Sequence, residues 1–327
     1  SAALAAGAGL GGFPALRTAA GKAPTGITAP GMTATASFCE VCFWKCGIDA
    51  WTDADGELVQ ITGRANHPLS NGRLCPRGTG GMGQLYDPDR LKQPMLRDGD
   101  TWRAVDWDEA LGFIAERMEA IKAKWGSEAL ALISHGHGAS FFKHMMKAYG
   151  APVASAPSFA QCRGARDTGF TLTFGQGAGS PERTDMEHAT FMVLIGSHLG
   201  ENMHNTQVQE FARFIERGGE LAVVDPRFST AAGKAKWWLP IKPGTDLALL
   251  LAWIRLLTHE GGYNRDFVER HCSGFDELKQ AVAAYTPEWA YTQTGIDPET
   301  IRTVGRRLGM HGPTAIVHPG RRTNWYG

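Results

Sequence analysis

The chain has 327 residues, 43% of them hydrophobic and 20% charged, a composition typical of a folded globular protein and unlike a disordered one. Lysine and arginine (33) balance aspartate and glutamate (33), so the electrostatic argument for nucleic acid as a partner is missing. Six cysteines are too few to cross-link a protein of this length with disulfides, but their spacing is informative.

The first 36 residues are predicted to lie outside the folded domains. Residues 1–16 contain no charged side chain and are rich in alanine and glycine, and Arg17 and a stretch of small residues follow. This pattern is typical of the apolar region and cleavage zone of an export signal. Residues 22–36 are rich in Pro, Gly and Thr and indicate an extended linker. We therefore expect an exported protein.

Four cysteines follow in a pattern that suits a metal cluster. Cys39, Cys42 and Cys46 are closely spaced, and Cys75 comes much later. Thiolates are the ligands of iron–sulfur clusters, and four of them complete a [4Fe–4S] centre. Zinc is an alternative, although zinc sites usually combine two separate C-x2-C pairs, and two disulfides are a second alternative in an exported protein.

Strands and helices are predicted to alternate along the rest of the chain. Between Cys46 and Cys75, a hairpin is expected with its turn at Asp55-Gly56. Beyond it, the apolar patterns predict helices at 108–125, 205–217 and 247–260, and a further helix that runs through His144. They predict strands at 129–134, 190–195, 220–224, 237–241 and 314–318. This order predicts a doubly wound parallel sheet with ligands beyond the carboxyl ends of its strands. The chain ends soon after the last strand, which is typical of a fragment.

The cysteine pattern, with Arg77 and a glycine closely after Cys75, resembles the molybdopterin-dinucleotide oxidoreductases of the dimethyl-sulfoxide-reductase type. The stretches VVDPR, at Asp225, and WLPIKPGTD, at Asp246, are similar to the same family. The resemblance implies a β-rich [4Fe–4S] domain followed by doubly wound α/β domains, and molybdenum or tungsten held by two molybdopterin guanine dinucleotides. The expected divisions are 1–36 (export signal and linker), 37–98 (cluster domain), 99–157 (an α/β domain continuing from about 314 to 327 and beyond) and 158–313 (dinucleotide-binding domain).

The resemblance also implies roles for individual residues. Cys162 would be the protein ligand of molybdenum, although a lone cysteine is by default a buried apolar residue. Cys272, on a helical segment, is expected to be structural. Arg77 would lie on the electron path between cluster and pterin. Candidates for holding an anionic substrate are Arg163, Arg321 and Arg322, and candidates for proton delivery are His137 and His144. The remaining expected cofactor contacts are Gly138, Gly196, Ser197, Asp225, Arg227, Gly244, Thr245 and Asp246, with a helix N-cap as the alternative role of Asp225.

Within the family, APSFAQCRGARDTGF and HPGRRTNWYG look most like the catalytic subunits of polysulfide and thiosulfate reductases. This implies two-electron reduction of polysulfide, thiosulfate or tetrathionate in anaerobic respiration. Electrons would come from a quinone-linked membrane anchor subunit through a ferredoxin-like iron–sulfur subunit. The expected location is the periplasm or the extracytoplasmic face of the membrane, reached by the twin-arginine route. Arsenate reductase or arsenite oxidase activity is an alternative, as is a non-catalytic scaffold subunit that has lost molybdenum.

Overall fold

The computed structural model describes residues 30–42, 44–134, 139–157, 164–177, 184–197, 199 and 205–320. The chain divides into two compact units, Ser1–Met82 and Gly83–Gly327. None of the helices in the described ranges has the length and apolar character that crossing a membrane requires.

The first unit contains a three-stranded antiparallel sheet in the order β1-β2-β3, followed by short helices. The strands are β1 (Thr33–Phe38), β2 (Gly47–Thr52) and β3 (Leu58–Gly63), and the helices are α1 (Pro76–Thr79) and α2 (Gly81–Leu85), which crosses the division between the units. The predicted hairpin is confirmed as β2 and β3. Strand β1 differs from expectation, since it begins inside the predicted linker at 22–36 and its six residues are all exposed.

The hairpin turn is built by one aspartate and one glycine. Asp53 Oδ1 accepts hydrogen bonds from the backbone N–H groups of Asp55 (3.0 Å) and Glu57 (2.9 Å). Gly56 has φ +84°, a left-handed conformation that side chains disfavour. Local side-chain hydrogen bonding of this kind is the usual reason for aspartate in turns. The turn therefore fixes the register of β2 against β3.

The second unit alternates strands and helices as expected. Its strands are β4 (Met95–Asp98), β5 (Thr101–Ala104), β6 (Ala131–Ile133), β7 (Val153–Ser155), β8 (Phe191–Ile195), β9 (Glu220–Val224), β10 (Trp237–Leu239) and β11 (Ala315–Pro319). Its helices are α3 (Trp107–Trp125), α4 (Ser140–Tyr149), α5 (Gly164–Phe174), α6 (Asn205–Glu216), α7 (Asp246–Glu260), α8 (Arg265–His271), α9 (Phe275–Ala281), α10 (Pro287–Thr294) and α11 (Pro298–His311). Strands β4 and β5 form a hairpin, and β6 and β7 form a two-stranded parallel sheet.

A four-stranded parallel sheet in the order β10-β9-β8-β11 carries the core of the second unit. All five residues of β8 are buried. Phe191, Val193 and Ile195 pack on one face in a cluster with residues of α7, α10 and α11, whereas Met192 and Leu194 pack on the other face with residues of α6. Burial on both faces explains why the sequence of β8 is continuously apolar.

Strand β11 corrects the expected domain division. Residues from about 314 onward were expected in the α/β domain that begins at 99, but β11 pairs in parallel with β8 along its whole length. The strand therefore completes the four-stranded sheet of the domain predicted at 158–313. After β10 the chain passes through five helices and returns to the opposite side of β8. In doubly wound sheets such a reversal creates a crevice at the carboxyl ends of the two strands.

The amino end of this sheet is fixed by ion pairs around Glu220. Its Oε1 lies 2.8 Å from Lys236 Nζ, and its Oε2 lies 3.4 Å from Arg307 Nη1 and 3.6 Å from His311 Nε2. The hydrogen bond from Lys236, assisted by the charges of Arg307, Lys236 and His311, lowers the pKa of Glu220 below its ordinary value, against the effect of burial. These contacts connect β9 with β10 and α11.

Candidate cofactor site

Two of the cluster cysteines are joined through the backbone of the first unit. The N–H of Cys39, directly after β1, donates to the carbonyl of Cys46, directly before β2, at 2.8 Å. This bond closes the loop that contains Cys42. Cys46 is buried, and Cys39, Cys42 and Cys75 are half-buried. No disulfide joins any of the five cysteines that the structure describes, which contradicts the disulfide alternative for this group.

A buried serine connects the cysteine loop to the segment that leads to Cys75. Ser70 is 0% exposed, and its Oγ accepts the N–H of Gly47 at 3.2 Å. The same Oγ lies 3.0 Å from His67 Nδ1, which also accepts the N–H of Ser70 at 3.2 Å. A side chain at Gly47 would overlap the His67 ring, so only glycine fits there. Sequence analysis missed both His67 and Ser70, because this contact is tertiary.

The four cysteines have the chemistry of a cluster site. Among the described residues, no three His, Cys, Asp or Glu side chains are close enough together to hold a single metal ion. A [4Fe–4S] cluster spaces its thiolates more widely than one ion does, because each thiolate binds a different iron. The convergence of all four sulfur atoms on one cluster therefore stays a prediction of the sequence spacing.

In the second unit, glycines form the carboxyl ends of β8 and β11. Gly196 follows β8 with φ +57°, and its N–H donates to Val224 at the end of β9 (2.9 Å). Gly320 follows β11, and its N–H donates to the carbonyl of Ile195 (2.5 Å). A side chain at Gly320 would overlap the carbonyl of Gly196. The two loops therefore meet backbone to backbone at the reversal of strand order, where such loops bind phosphates.

Asp225 occupies the corresponding position at the end of β9. It is 9% exposed, and its Oδ1 accepts the N–H of Arg227 at 2.8 Å. Its backbone carbonyl accepts the indole N–H of Trp238 at 2.9 Å. The side chain thus fixes a turn, and the helix N-cap alternative is wrong because no helix begins at this residue.

Asp246 begins α7 and lies near Asp225 at the same edge of the sheet. Burial raises the pKa of Asp246, and the charge of Asp225 raises it further, although a hydrogen bond from the backbone opposes both effects. Before Asp246, Gly244 has φ +82°, and Thr245 Oγ1 donates to the carbonyl of Lys242 at 2.7 Å. Two carboxylates beside glycine loops can accept hydrogen bonds from ribose hydroxyls or base N–H groups.

A half-buried histidine at this edge was missed by sequence analysis. His318 lies on β11, and its Nδ1 is 3.3 Å from Thr184 Oγ1. Burial lowers the pKa of His318 to about 4. Its only sequence signal is its position, two residues before Gly320. The imidazole is therefore neutral at physiological pH.

Several predicted residues cannot be placed with this group. Cys162, Arg163, His137, Gly138, Arg321 and Arg322 lie outside the described residues. His144 is exposed on α4, Arg77 is exposed in α1, and Ser197 is buried directly after Gly196. Cys272, expected to be a structural residue, is exposed at the end of α8. Of the predicted cofactor contacts, the structure therefore places Gly196, Asp225 and Asp246 at one edge of the sheet.

Comparison with known proteins identifies the class of both units. Residues 32–87 match the family "Molybdopterin oxidoreductase Fe4S4 domain", and residues 90–322 match "Molybdopterin oxidoreductase". The second match spans most of the chain. The protein therefore belongs to the molybdopterin oxidoreductase family and has its α/β fold, preceded by an iron–sulfur domain.

Individual relatives agree with this assignment. The thiosulfate reductase molybdopterin-containing subunit of Salmonella typhimurium is 34% identical over 298 residues, covering 90% of this chain and 38% of the relative. A sulfite dehydrogenase subunit of Allochromatium vinosum is 26% identical, covering 83% of this chain and 36% of the relative. The structure of acetylene hydratase from Pelobacter acetylenicus matches with a TM-score of 0.75 and 26% identity, covering 88% of this chain and 40% of that protein. The chain thus spans about two fifths of the length of these relatives.

The residues present fit the cofactors of this family, a molybdenum–pterin group and a [4Fe–4S] cluster. Four cysteine thiols provide the soft ligands that the cluster requires. The glycine loops at Gly196 and Gly320 meet so closely that a side chain at Gly320 has no room. The carboxylates of Asp225 and Asp246 lie at the same edge and suit the nucleoside ends of a dinucleotide.

Proposed function

We propose that the protein is the catalytic subunit of an enzyme that reduces a small inorganic sulfur compound, with thiosulfate as the first candidate and polysulfide or tetrathionate as close alternatives. The single observation that carries this proposal is the 34% identity to a thiosulfate reductase chain over 90% of this one. That similarity extends through both the cysteine segment, residues 39–75, and the nucleotide edge, by which we mean the carboxyl ends of β8 and β9 together with Asp225 and Asp246. The related sulfite dehydrogenase acts on a sulfur oxyanion too, as its name states.

The bound molybdenum–pterin group would supply two-electron chemistry at the metal, and the chain would supply binding, orientation and charge. Thiosulfate reduction to sulfide and sulfite consumes two electrons and two protons. Arg163 and Arg321 are proposed to hold the dianion, because guanidinium groups bind oxyanions through paired hydrogen bonds. His144, exposed on α4, is proposed to deliver protons, and Cys162 to be the metal's protein ligand.

Electrons are proposed to enter through the [4Fe–4S] cluster, with Arg77 between cluster and pterin. The donor would be a ferredoxin-like subunit supplied by a quinone-linked membrane anchor. The related thiosulfate reductase chain is itself named as a subunit, which supports a multi-subunit assembly. We place the complex in the periplasm or at the extracytoplasmic face of the membrane, after twin-arginine export, because the first residues have the pattern of an export signal.

The test is reduction of sulfur substrates by the full-length protein purified without air. Reduced viologen dye provides electrons, and its oxidation is followed with thiosulfate, polysulfide, tetrathionate and arsenate in turn. Thiosulfate-dependent oxidation that releases equal amounts of sulfide and sulfite supports the proposal. Turnover with arsenate alone would favour the arsenate reductase alternative, and iron without molybdenum or tungsten would favour a scaffold subunit.

The chain offers a matched pair of variants for the metal ligand. Cys162→Ala should abolish turnover and leave the iron content unchanged, because it removes only the proposed molybdenum thiolate. Cys272→Ala changes an exposed thiol at the end of α8 and should leave the rate unchanged. Equal rates for the two variants would exclude Cys162 as the metal ligand.

A further inference from the structure

An exposed aromatic pair stands beside the carboxylates of the nucleotide edge. Phe228 comes three residues after Asp225 and is 62% exposed, and Trp238 on β10 is 37% exposed. Their ring centroids are 5.0 Å apart, and the ring planes meet at 78°. Neither ring belongs to the two hydrophobic core clusters of this unit. Core packing therefore does not account for the pair.

The pair is attached to the residue predicted to bind nucleotide. The indole N–H of Trp238 donates to the backbone carbonyl of Asp225, and Asp225 Oδ1 accepts the N–H of Arg227, the residue directly before Phe228. Hydrogen bonds on both sides of Asp225 thus fix the ring of Trp238 and the start of the loop that carries Phe228. A stiff connection of this kind presents an aromatic ring without a large loss of conformational entropy on binding.

We propose that Phe228 is the stacking surface for the purine base of a nucleotide bound at this edge, and that Trp238 is a positioning residue for it. Aromatic side chains bind bases through their faces, and a purine presents more area than a pyrimidine. A base on Phe228 leaves its sugar near Asp225, where a carboxylate accepts ribose hydroxyls. The proposal rests on the dinucleotide part of the proposed function and not on the sulfur substrate.

The experiment measures nucleotide binding directly. Full-length protein from a strain that cannot make the pterin is titrated with GDP and, separately, CDP in a calorimeter. The wild-type protein should bind GDP more tightly than CDP. Phe228→Ala and Phe228→Leu should each weaken GDP binding about tenfold and remove the preference for the purine. Phe228→Tyr keeps an aromatic face and should retain the wild-type affinity.

Controls separate base stacking from a structural role. Phe267→Ala removes an exposed ring on α8 whose aromatic contact is with His271, and it should leave GDP binding unchanged. Trp238→Phe removes the hydrogen bond to Asp225 and should weaken GDP binding with little change in melting temperature. Absence of GDP binding by the wild-type protein, or wild-type affinity in Phe228→Leu, would overturn the assignment. Neither result would bear on thiosulfate reduction, which is measured independently of GDP.

Discussion

Replacing Ser70 by alanine should loosen the cluster site without changing any cysteine. The substitution leaves the N–H of Gly47 without its acceptor in a position that is 0% exposed. An unsatisfied buried donor costs about 1–3 kcal/mol, and this cost falls on the strand that begins directly after Cys46. Because the same hydroxyl contacts His67, the segment leading to Cys75 also loses a contact.

The assay follows bleaching of the cluster absorbance during urea unfolding and during exposure to an iron chelator. Ser70→Ala should lower the unfolding free energy of the cluster-containing transition by about 1–3 kcal/mol and speed iron loss. Ser37→Ala makes the same chemical change on the exposed strand β1 and should have almost no effect. Identical bleaching curves for the two variants would refute the view that Ser70 connects the two cysteine segments.

Three further predictions concern the second unit. Gly320→Ala should lower the unfolding free energy by about 2 kcal/mol, because the new methyl group overlaps the carbonyl of Gly196. As a control, Gly112→Ala lies in open space on α3 and should raise the unfolding free energy by about 0.5–1 kcal/mol. Because burial depresses the pKa of His318 to about 4, its contribution is full above pH 6.5 and is lost as the pH falls toward 4. His318→Gln should therefore flatten the pH dependence of the unfolding free energy between those values, and an unchanged slope would contradict a neutral imidazole at His318 in the folded protein. Glu220 also has a lowered pKa, so its contribution is present above its ordinary value of 4.5 and is lost as the pH falls through its lower folded value; acid titration of Glu220→Gln should show a smaller loss in that range.

Local sequence patterns predicted which segments form strands and helices better than they predicted which strands pair with each other. Strands β8 and β9 were recognisable because strands buried on both faces are continuously apolar. Strand β1 gave no such signal, since its side chains are all exposed and only its backbone pairs with β2. The pairing of β11 with β8 could not be read from sequence, because hydrophobic periodicity does not say which strand lies alongside.

The residues of the candidate site also divide into those that sequence patterns indicated and those that they missed. Gly196 and Asp225 could be proposed because they follow strands of a doubly wound sheet, where ligand contacts occur, and Asp246 could be proposed only from the family resemblance of PGTD. Ser70 and His318 escaped notice because their roles depend on contacts with Gly47 and Thr184, which are distant in sequence. A lone buried polar residue has no pattern of its own, so only the folded arrangement reveals it.

The late arrival of β11 has a consequence for the order of assembly during synthesis. Residue 315 on β11 pairs with residue 191 on β8, so the central strand of the sheet lacks a neighbour while more than a hundred residues are still to be translated. Contacts of such large sequence separation form slowly, because a long loop must close before they are gained. The glycine edge between Gly196 and Gly320 therefore comes into existence only after β11 has left the ribosome. A cofactor that binds at this edge can therefore be loaded only after strands on both sides of β8 are in place.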